Sequence, residues 1–180
     1  MAEPPAPEAP TIIPLVGEAR ERAVPVIRDG FVGIYRWHAK RTLREVPTVR
    51  ALEAGGEVVG IALLDRLAPE VGYVYYIAVL SSHRGIGLGA RLLDDALRLF
   101  REGGVEVVYA AAQTDNRASI RLFEARGFRS VARKETNWKD GGLGAWGLRS
   151  RMRLVPGEQL LGLRLRPTQL ASQNAAERQA

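Results

Sequence analysis

The chain has 180 residues, 46% of them hydrophobic, with 26 Lys and Arg against 20 Asp and Glu for a formal net charge of +6. That length and apolar fraction suit one globular domain with a sizeable core. The absence of cysteine excludes a disulfide framework, a thiolate nucleophile and a thiolate metal site, and His38 and His83 fall in different segments with no metal-binding spacing. His38 reads as a helix-surface residue and His83 as a loop residue. Nearly all the positive charge is arginine and none of it forms a polybasic run, so nucleic acid is not the expected direct ligand.

Residues 1–10 are rich in Pro, Ala and Glu and read as a disordered segment, with neither the basic start nor the apolar core of a signal peptide. No apolar run approaches membrane-spanning length, so the expected location is cytoplasmic. Thr11 to Val16 reads as a strand that Pro14 places at an edge. Residues 18–29 read as helix, bent or restarted at Pro25. Phe31 to Arg44 reads as a second helix whose aromatics Phe31, Tyr35 and Trp37 are expected to pack onto a sheet. Val49–Glu53 and Glu57–Leu64, separated by Ala54-Gly55-Gly56, form a hairpin pattern. Leu67 to Glu70 is a loop and Val71 to Val79 the central strand. Past the glycine-punctuated stretch Arg84-Gly85-Ile86-Gly87-Leu88-Gly89, apolar residues switch to helical spacing at Leu88, Leu92, Leu93, Ala96, Leu97 and Phe100, and Gly103-Gly104 ends the helix. On its other face Arg91 with Asp95, and Asp94 with Arg98, are spaced to pair.

Residues 105–112 read as another strand. In 115–128, Asp115 or Asn116 can cap a helix that Gly127 closes. Arg129 to Glu135 and Leu148 to Val155 read as strands around a glycine-rich loop at 137–147. Beyond Pro156 the segment LLGLRLRP reads as a short extra strand or packing segment, and from Thr168 the composition is that of a frayed end. This order predicts an α/β fold with a mixed, mostly antiparallel sheet flanked by helices, in a single domain over 11–155 with a C-terminal extension at 156–180.

A strand that feeds a glycine loop into a helix start makes an anion site, because the first helical N–H groups lack intrahelical partners and glycine lets backbone approach a phosphate. The spacing of Gly85, Gly87 and Gly89 does not fit the dinucleotide fingerprint, and the Lys-Ser/Thr of a nucleotide-binding P-loop is absent. A plain glycine turn between strand and helix remains compatible with this hexapeptide alone.

The pattern R-x-x-G-x-G, carried by Arg84, Gly87 and Gly89, resembles the acetyl-CoA pyrophosphate loop of the GNAT family of N-acetyltransferases. The pattern N-x-x-[AS]-x-x-x-[YF]-x-x-x-G-F, carried by Asn116, Ser119, Phe123, Gly127 and Phe128, resembles that family's second CoA-contacting segment. The resemblance implies acetyl-CoA as co-substrate and a primary amine as acceptor; no metal is expected, and the expected assembly is a monomer or homodimer. It assigns the pyrophosphate to Arg84, Gly85, Ile86, Gly87, Leu88, Gly89 and Ala90, and the pantetheine arm to the strand edge at Ile77, Ala78 and Val79. Backbone N–H groups near Val79 and Leu80 would polarise the acetyl carbonyl, and Asn116, Ser119 and Phe123 would complete the cofactor site.

Two departures bear on the chemistry. Many relatives carry a tyrosine at the position of Phe123, where it can protonate the leaving sulfur; here water or another group does so, or the thiolate leaves unaided. Many relatives carry a glutamate where Tyr73 stands. Tyr73 matches the catalytic tyrosine of some acetylases of protein N-terminal amines, although their partner histidine falls at Ala111; Tyr73, or Glu70 in the preceding loop, is the candidate base, and core packing is the competing reading of Tyr73. Deprotonating a lysine amine at pH 7 costs about 4.6 kcal/mol and an α-amine about 1.1 kcal/mol, so a site without an obvious carboxylate suits the α-amine. Phe31, Tyr35 and Trp138, the last in a loop resembling one that covers a peptide N-terminus, are the candidate acceptor contacts. The expected acceptor is a protein or peptide N-terminus; a small-molecule amine or a lysine, and a CoA-binding module without catalysis, are the alternatives.

Overall fold

The computed structural model describes residues 9–131 and 150–165. The elements run β1 (Thr11–Pro14), α1 (Val24–Gly30), α2 (Gly33–Glu45), β2 (Thr48–Ala54), β3 (Glu57–Ala68), β4 (Val71–Val79), α3 (Leu88–Glu102), β5 (Val107–Gln113), α4 (Arg117–Glu124), β6 (Arg129–Ser130) and β7 (Glu158–Arg164). The strands form one seven-stranded sheet in the order β1-β2-β3-β4-β5-β7-β6. β4 and β5 pair in parallel, whereas β1 with β2, β5 with β7 and β6 with β7 are antiparallel. This is the mixed sheet flanked by helices that the element order predicts. Contact density divides the chain into two units, one of residues up to Leu63 with Tyr76–Leu92, the other of Leu64–Tyr75 with the residues from Leu93 on.

In the first unit β1 lies at the sheet edge, where the missing N–H of Pro14 is harmless. Residues Gly17–Ala23 form a 3-10 turn, and α1 starts afresh with Pro25 in its first turn, so the proline restarts the helix. Arg20 donates to the carbonyls of Leu43, Arg44 and Pro47 and so satisfies the open C-terminal end of α2. The face of α2 turned inward carries Ala39, Thr42 and Leu43. Trp37 lies two residues, about 200°, from Ala39. It is 56% exposed with the Arg41 guanidinium 5.7 Å from its ring centroid, which corrects the expectation that it packs onto the sheet. The turn joining β2 to β3 holds Gly55 and Gly56 at φ 56° and 80°, as a tight hairpin requires.

In the second unit β3 continues to Ala68, past Leu64 where the pattern of alternation ended it. The buried cluster there is Leu67, Val71, Tyr73, Val107, Tyr109 and Met152. A Cβ on Gly72 would lie 2.8 Å from the Phe100 ring, so only glycine lets α3 lie this close to β4. The expected ion pairs on α3 are rearranged: Asp94 binds Arg126 beside α4 through both oxygens (2.8 and 3.0 Å), and Arg98 takes Asp95 and Glu102. In the first unit, Arg91 donates to the carbonyl of Pro10 (2.6 Å).

Beyond residue 150 one expectation fails and one holds: the strand read before Pro156 is not seen, whereas the short extra strand read in LLGLRLRP is. Residues 150–152 are helical and Arg153 has φ 51°, so over 150–155, its described part, the strand read over Leu148–Val155 is not formed. The extra strand is β7, which pairs along its whole length with β5, from Val107 opposite Arg164 to Gln113 opposite Glu158. The sheet thus continues past residue 155. Of the strand read over Arg129–Glu135 only β6 and Val131 are described, the Val131 amide donating to the Leu160 carbonyl (2.9 Å); residues 132–149, with the 137–147 loop and Trp138, the N-terminal eight residues and the residues from 166 lie outside the described residues.

Candidate active site

The glycine loop belongs to the first unit. After Val79 the chain makes a 3-10 turn at Ser81–His83, reaches Arg84, and enters α3 at Leu88. Gly85 and Gly87 have φ 81° and 85°, and a Cβ at either would meet nothing within 4 Å. Both positions therefore need glycine for backbone conformation, and both face open space. The amide of Arg91 donates to the carbonyl of Gly87 (3.1 Å), the first bond of α3. The N–H groups of Leu88, Gly89 and Ala90 precede it, as orphan donors at the positive helix end. No acidic residue stands in that first turn. Ile86 is 68% exposed beside these amides, while Leu88 is buried and anchors the helix start. A cluster of backbone donors, glycines that face open space and no carboxylate in the first turn of α3 fit a pyrophosphate.

The neighbouring end of β4 is held from both sides. The N–H of Leu80 donates to the carbonyl of Val59 on β3 (2.8 Å), so the expected Leu80 donor is already engaged. Strand alternation directs the N–H of Val79 to the opposite edge. The carbonyl of Val79 accepts from Arg84 Nε (2.9 Å), and Arg84 Nη2 donates to Asp29 Oδ2 (3.2 Å). Asp29 also accepts from the Ser81 amide (2.7 Å) and the Ser81 hydroxyl (2.9 Å). These Ser81 bonds, with Arg84 adding charge, hold the Asp29 carboxyl below the usual carboxylate range despite some desolvation. Phe31 packs edge-to-face on Tyr76 at 5.0 Å, and Tyr35 is half-buried on α2. Ile77 is half-buried; Ala78 and Val79 are buried.

The second unit carries the remaining expected residues. The β4–β5 ladder joins Val71–Val74 to Val107–Ala110. Tyr73 lies within that ladder opposite Tyr109, is 2% exposed, and stacks edge-to-face on Tyr75 at 4.7 Å, as side chains two apart on one strand face should. Tyr75 donates its hydroxyl to the carbonyl of Arg151 (2.5 Å). Burial pushes the Tyr109 phenol above its ordinary pKa, against the opposing pull of Arg164. Glu70 is exposed in the turn before β4, and its carbonyl accepts from the amides of Glu106 and Val107. Asn116 caps α4, its side-chain oxygen accepting from the Ser119 amide (3.1 Å). At the other end Gly127, at φ 85°, donates to Glu124, and the Phe128 amide donates to Phe123. The Phe123 and Phe128 rings meet at 5.0 Å, completing a Schellman closure with its apolar contact. Phe123 is 5% exposed.

Residues 18–128 match the Acetyltransferase (GNAT) family. The chain belongs to the GNAT family of acetyltransferases. As a GNAT member it is an N-acetyltransferase that uses acetyl-CoA as co-substrate. This GNAT chain is 31% identical over 149 residues, 79% of its length and 92% of the relative's, to the N-alpha-acetyltransferase RimI of Mycobacterium tuberculosis. It is 32% identical over 114 residues, 58% of its length and 66% of the relative's, to an L-methionine sulfoximine/L-methionine sulfone acetyltransferase of Pseudomonas aeruginosa. Its fold matches the ribosomal-protein-S18-alanine N-acetyltransferase of Escherichia coli with a TM-score of 0.64 at 20% identity, over 87% of this chain and 94% of the other. Among the described residues of this GNAT chain no group of three or more His, Cys, Asp or Glu side chains could hold a metal, and no helix is long and apolar enough to cross a membrane.

Asp29 and Ser81 escaped the sequence reading of this GNAT site. The available signal was slight: an acid in the last turn of a helix sits at the negative end of its dipole, so Asp29 called for a partner.

Proposed function

We propose that this GNAT enzyme acetylates the α-amine of a protein or peptide N-terminus. The observation that carries the reading is the 31% identity to an N-alpha-acetyltransferase along most of both chains. The chemistry agrees with it. Neither β4, VGYVYYIAV, nor β5, VVYAAAQ, carries a carboxylate or imidazole side chain. An acceptor that is largely deprotonatable near neutral pH, as an α-amine is, makes the smallest demand on such strands.

In this reading the backbone of residues 84–90 holds the pyrophosphate, and the β4 edge at Ile77, Ala78 and Val79 aligns the pantetheine arm. Asn116 donates from Nδ2 while its Oδ1 caps α4, with Ser119 and Phe123 alongside. Acetyl-CoA supplies an acetyl group activated as a thioester. Tyr73 orients the amine or the water that takes its proton, with Glu70 as the alternative, and Phe31 and Tyr35 contact the acceptor. The buried position of Tyr73 favours orientation over direct proton abstraction, since a neutral phenol is a weak proton acceptor.

A second reading, a small-molecule amine acceptor, is favoured by the relative that acetylates methionine sulfoximine. A turnover screen with acetyl-CoA separates the two, using peptides with varied first residues, free amino acids and analogues, polyamines and lysine-bearing proteins. The peptide reading expects the highest kcat/KM on a peptide, with mass spectrometry placing the acetyl group on its first residue. A higher kcat/KM for a free amino acid or polyamine overturns it.

A further inference from the structure

The end of α1 makes three contacts with the end of β4 and the turn beyond it, all within one unit. Gly30 lies so close to Ala78 that a Cβ on it would be 3.3 Å from the Ala78 Cβ. Phe31 packs on Tyr76. Asp29 binds Ser81 twice and Arg84 once. Arg84 in turn reaches back to Val79, so the peptide unit between Val79 and Leu80 is pinned at its carbonyl by Arg84 and at its N–H by Val59.

We propose that Asp29 is a positioning residue for acetyl-CoA, which ties α1 to Ser81 and Arg84 and so fixes the last peptide of β4 and the entry to the glycine loop. The proposal rests on the reading that residues 84–90 hold the pyrophosphate. It also reassigns the Arg84 side chain. Two of its donors, Nε and Nη2, point to Val79 and Asp29, so its guanidinium acts as a clamp within the protein. Only a planar fork serves both acceptors at once, and a lysine ammonium on a flexible stem does not. Asp29 itself touches no ligand in this scheme.

The pair is half-exposed, with side-chain exposures of 53% for Arg84 and 32% for Asp29. Exposed ion pairs add little to global stability. The expected consequence of breaking it is therefore a misplaced loop in a folded protein.

The sign of the effect decides the matter. An aspartate that merely stands near a polyanion repels it, so removing the charge would tighten acetyl-CoA binding. An aspartate that shapes the site weakens binding when removed. Full-length Asp29→Asn, Arg84→Lys, Arg84→Gln and the Asp29→Asn/Arg84→Gln double variant are titrated with acetyl-CoA by calorimetry, each with a melting curve. The proposal expects Kd to rise about tenfold in Asp29→Asn, in the range of a lost charge-assisted hydrogen-bond set. Arg84→Lys should resemble Arg84→Gln, and the double variant should be no weaker than the weaker single one, because the two residues act as one unit. Tighter or unchanged binding in Asp29→Asn overturns the proposal, as does full affinity in Arg84→Lys. A lowered melting temperature with unchanged Kd also overturns it, by assigning Asp29 to stability alone. Gly87→Glu is run in parallel: if it too leaves Kd unchanged, the loop reading itself has failed, whereas a weakened Gly87→Glu beside an unaffected Asp29→Asn removes the clamp and leaves the loop.

Discussion

The segments at 84–90 and 115–128 both begin after a strand and both carry glycines at positive φ, yet they use their residues in opposite ways. In the first, the glycines face open space and the first amides of α3 lie ahead of any intrahelical bond. In the second, nearly every residue of the pattern serves the helix itself: Asn116 caps it, the Ser119 amide receives the cap, and Phe123, Gly127 and Phe128 close it. The first segment is thus built around a missing partner and the second around its own termini. A shared family pattern can therefore leave backbone donors open in one place and serve as a folding device in another. The difference predicts that substitutions in the first change affinity more than stability, and that those in the second do the reverse.

The largest effect is expected at Gly87. Gly87→Glu imposes a side chain at φ 85° and puts an anion at the proposed phosphate position, so acetyl-CoA affinity should fall at least about tenfold by calorimetry. An unchanged Kd in a folded variant would break the comparison at its first term. Next comes Tyr73→Phe, which keeps the buried ring and removes the hydroxyl. It should lower kcat about tenfold with acetyl-CoA affinity retained, the usual scale for a group that assists proton transfer. Glu70→Gln should do less; full activity in Tyr73→Phe with loss in Glu70→Gln reverses the two roles.

Asn116→Ala removes a side-chain cap, at a cost of about 1 kcal/mol of stability. A rise in Kd measured beside the melting curve would show that Nδ2 also binds ligand, and its absence would leave Asn116 a cap alone. Gly127→Ala sharpens the same contrast. A Cβ there meets only Leu163 at an ordinary 3.5 Å, so the cost, about 1 kcal/mol, comes from the left-handed backbone, and acetyl-CoA affinity should not change. The smallest effect is the acid limb of Asp29. Its folded carboxyl titrates below its unfolded value of about 3.9, so its stabilising contribution is present above that pH and is lost as pH falls through the folded pKa. The stability difference between wild type and Asp29→Asn should be flat above about pH 5 and shrink below about pH 4.

Legibility in the sequence followed the range of the interactions. The β2–β3 hairpin, the strand–glycine–helix run from Val71 to Gly103 and the Asn116 cap depend on neighbours a few residues away, and alternation, helical spacing and cap chemistry reveal them. The continuation of β3 to Ala68 was hidden because Asp65 and Arg66 break the apolar pattern; there Arg151, far along the chain, donates to the Leu67 carbonyl and reaches Asp65. β7 was legible only in part: LLGLRLRP reads as a short extra strand or packing segment, but nothing local says that it joins the main sheet. EQLLGLR has no clear alternation, and the partner that makes it a strand is β5. The Asp29 clamp joins residues 52 and 55 apart in sequence, and no local pattern encodes such a meeting. The faces of α2 were misread because aromatic content was taken as burial, whereas the position relative to Ala39 and Leu43 set which side turned inward.

The place of β7 has a consequence for how this protein is made. Among the described residues it is the last strand in sequence but not the last in the sheet, since it sits between β5 and β6. Synthesis runs from the N-terminus, so the ribosome releases both family patterns before the strand that covers the edge of β5 exists. Until residues Glu158–Arg164 emerge, β5 presents a row of apolar residues and open backbone groups, the kind of edge that recruits other chains. A nascent chain stalled before this point, or a recombinant one cut at residue 155, would carry every residue assigned to acetyl-CoA and still be drawn into aggregates.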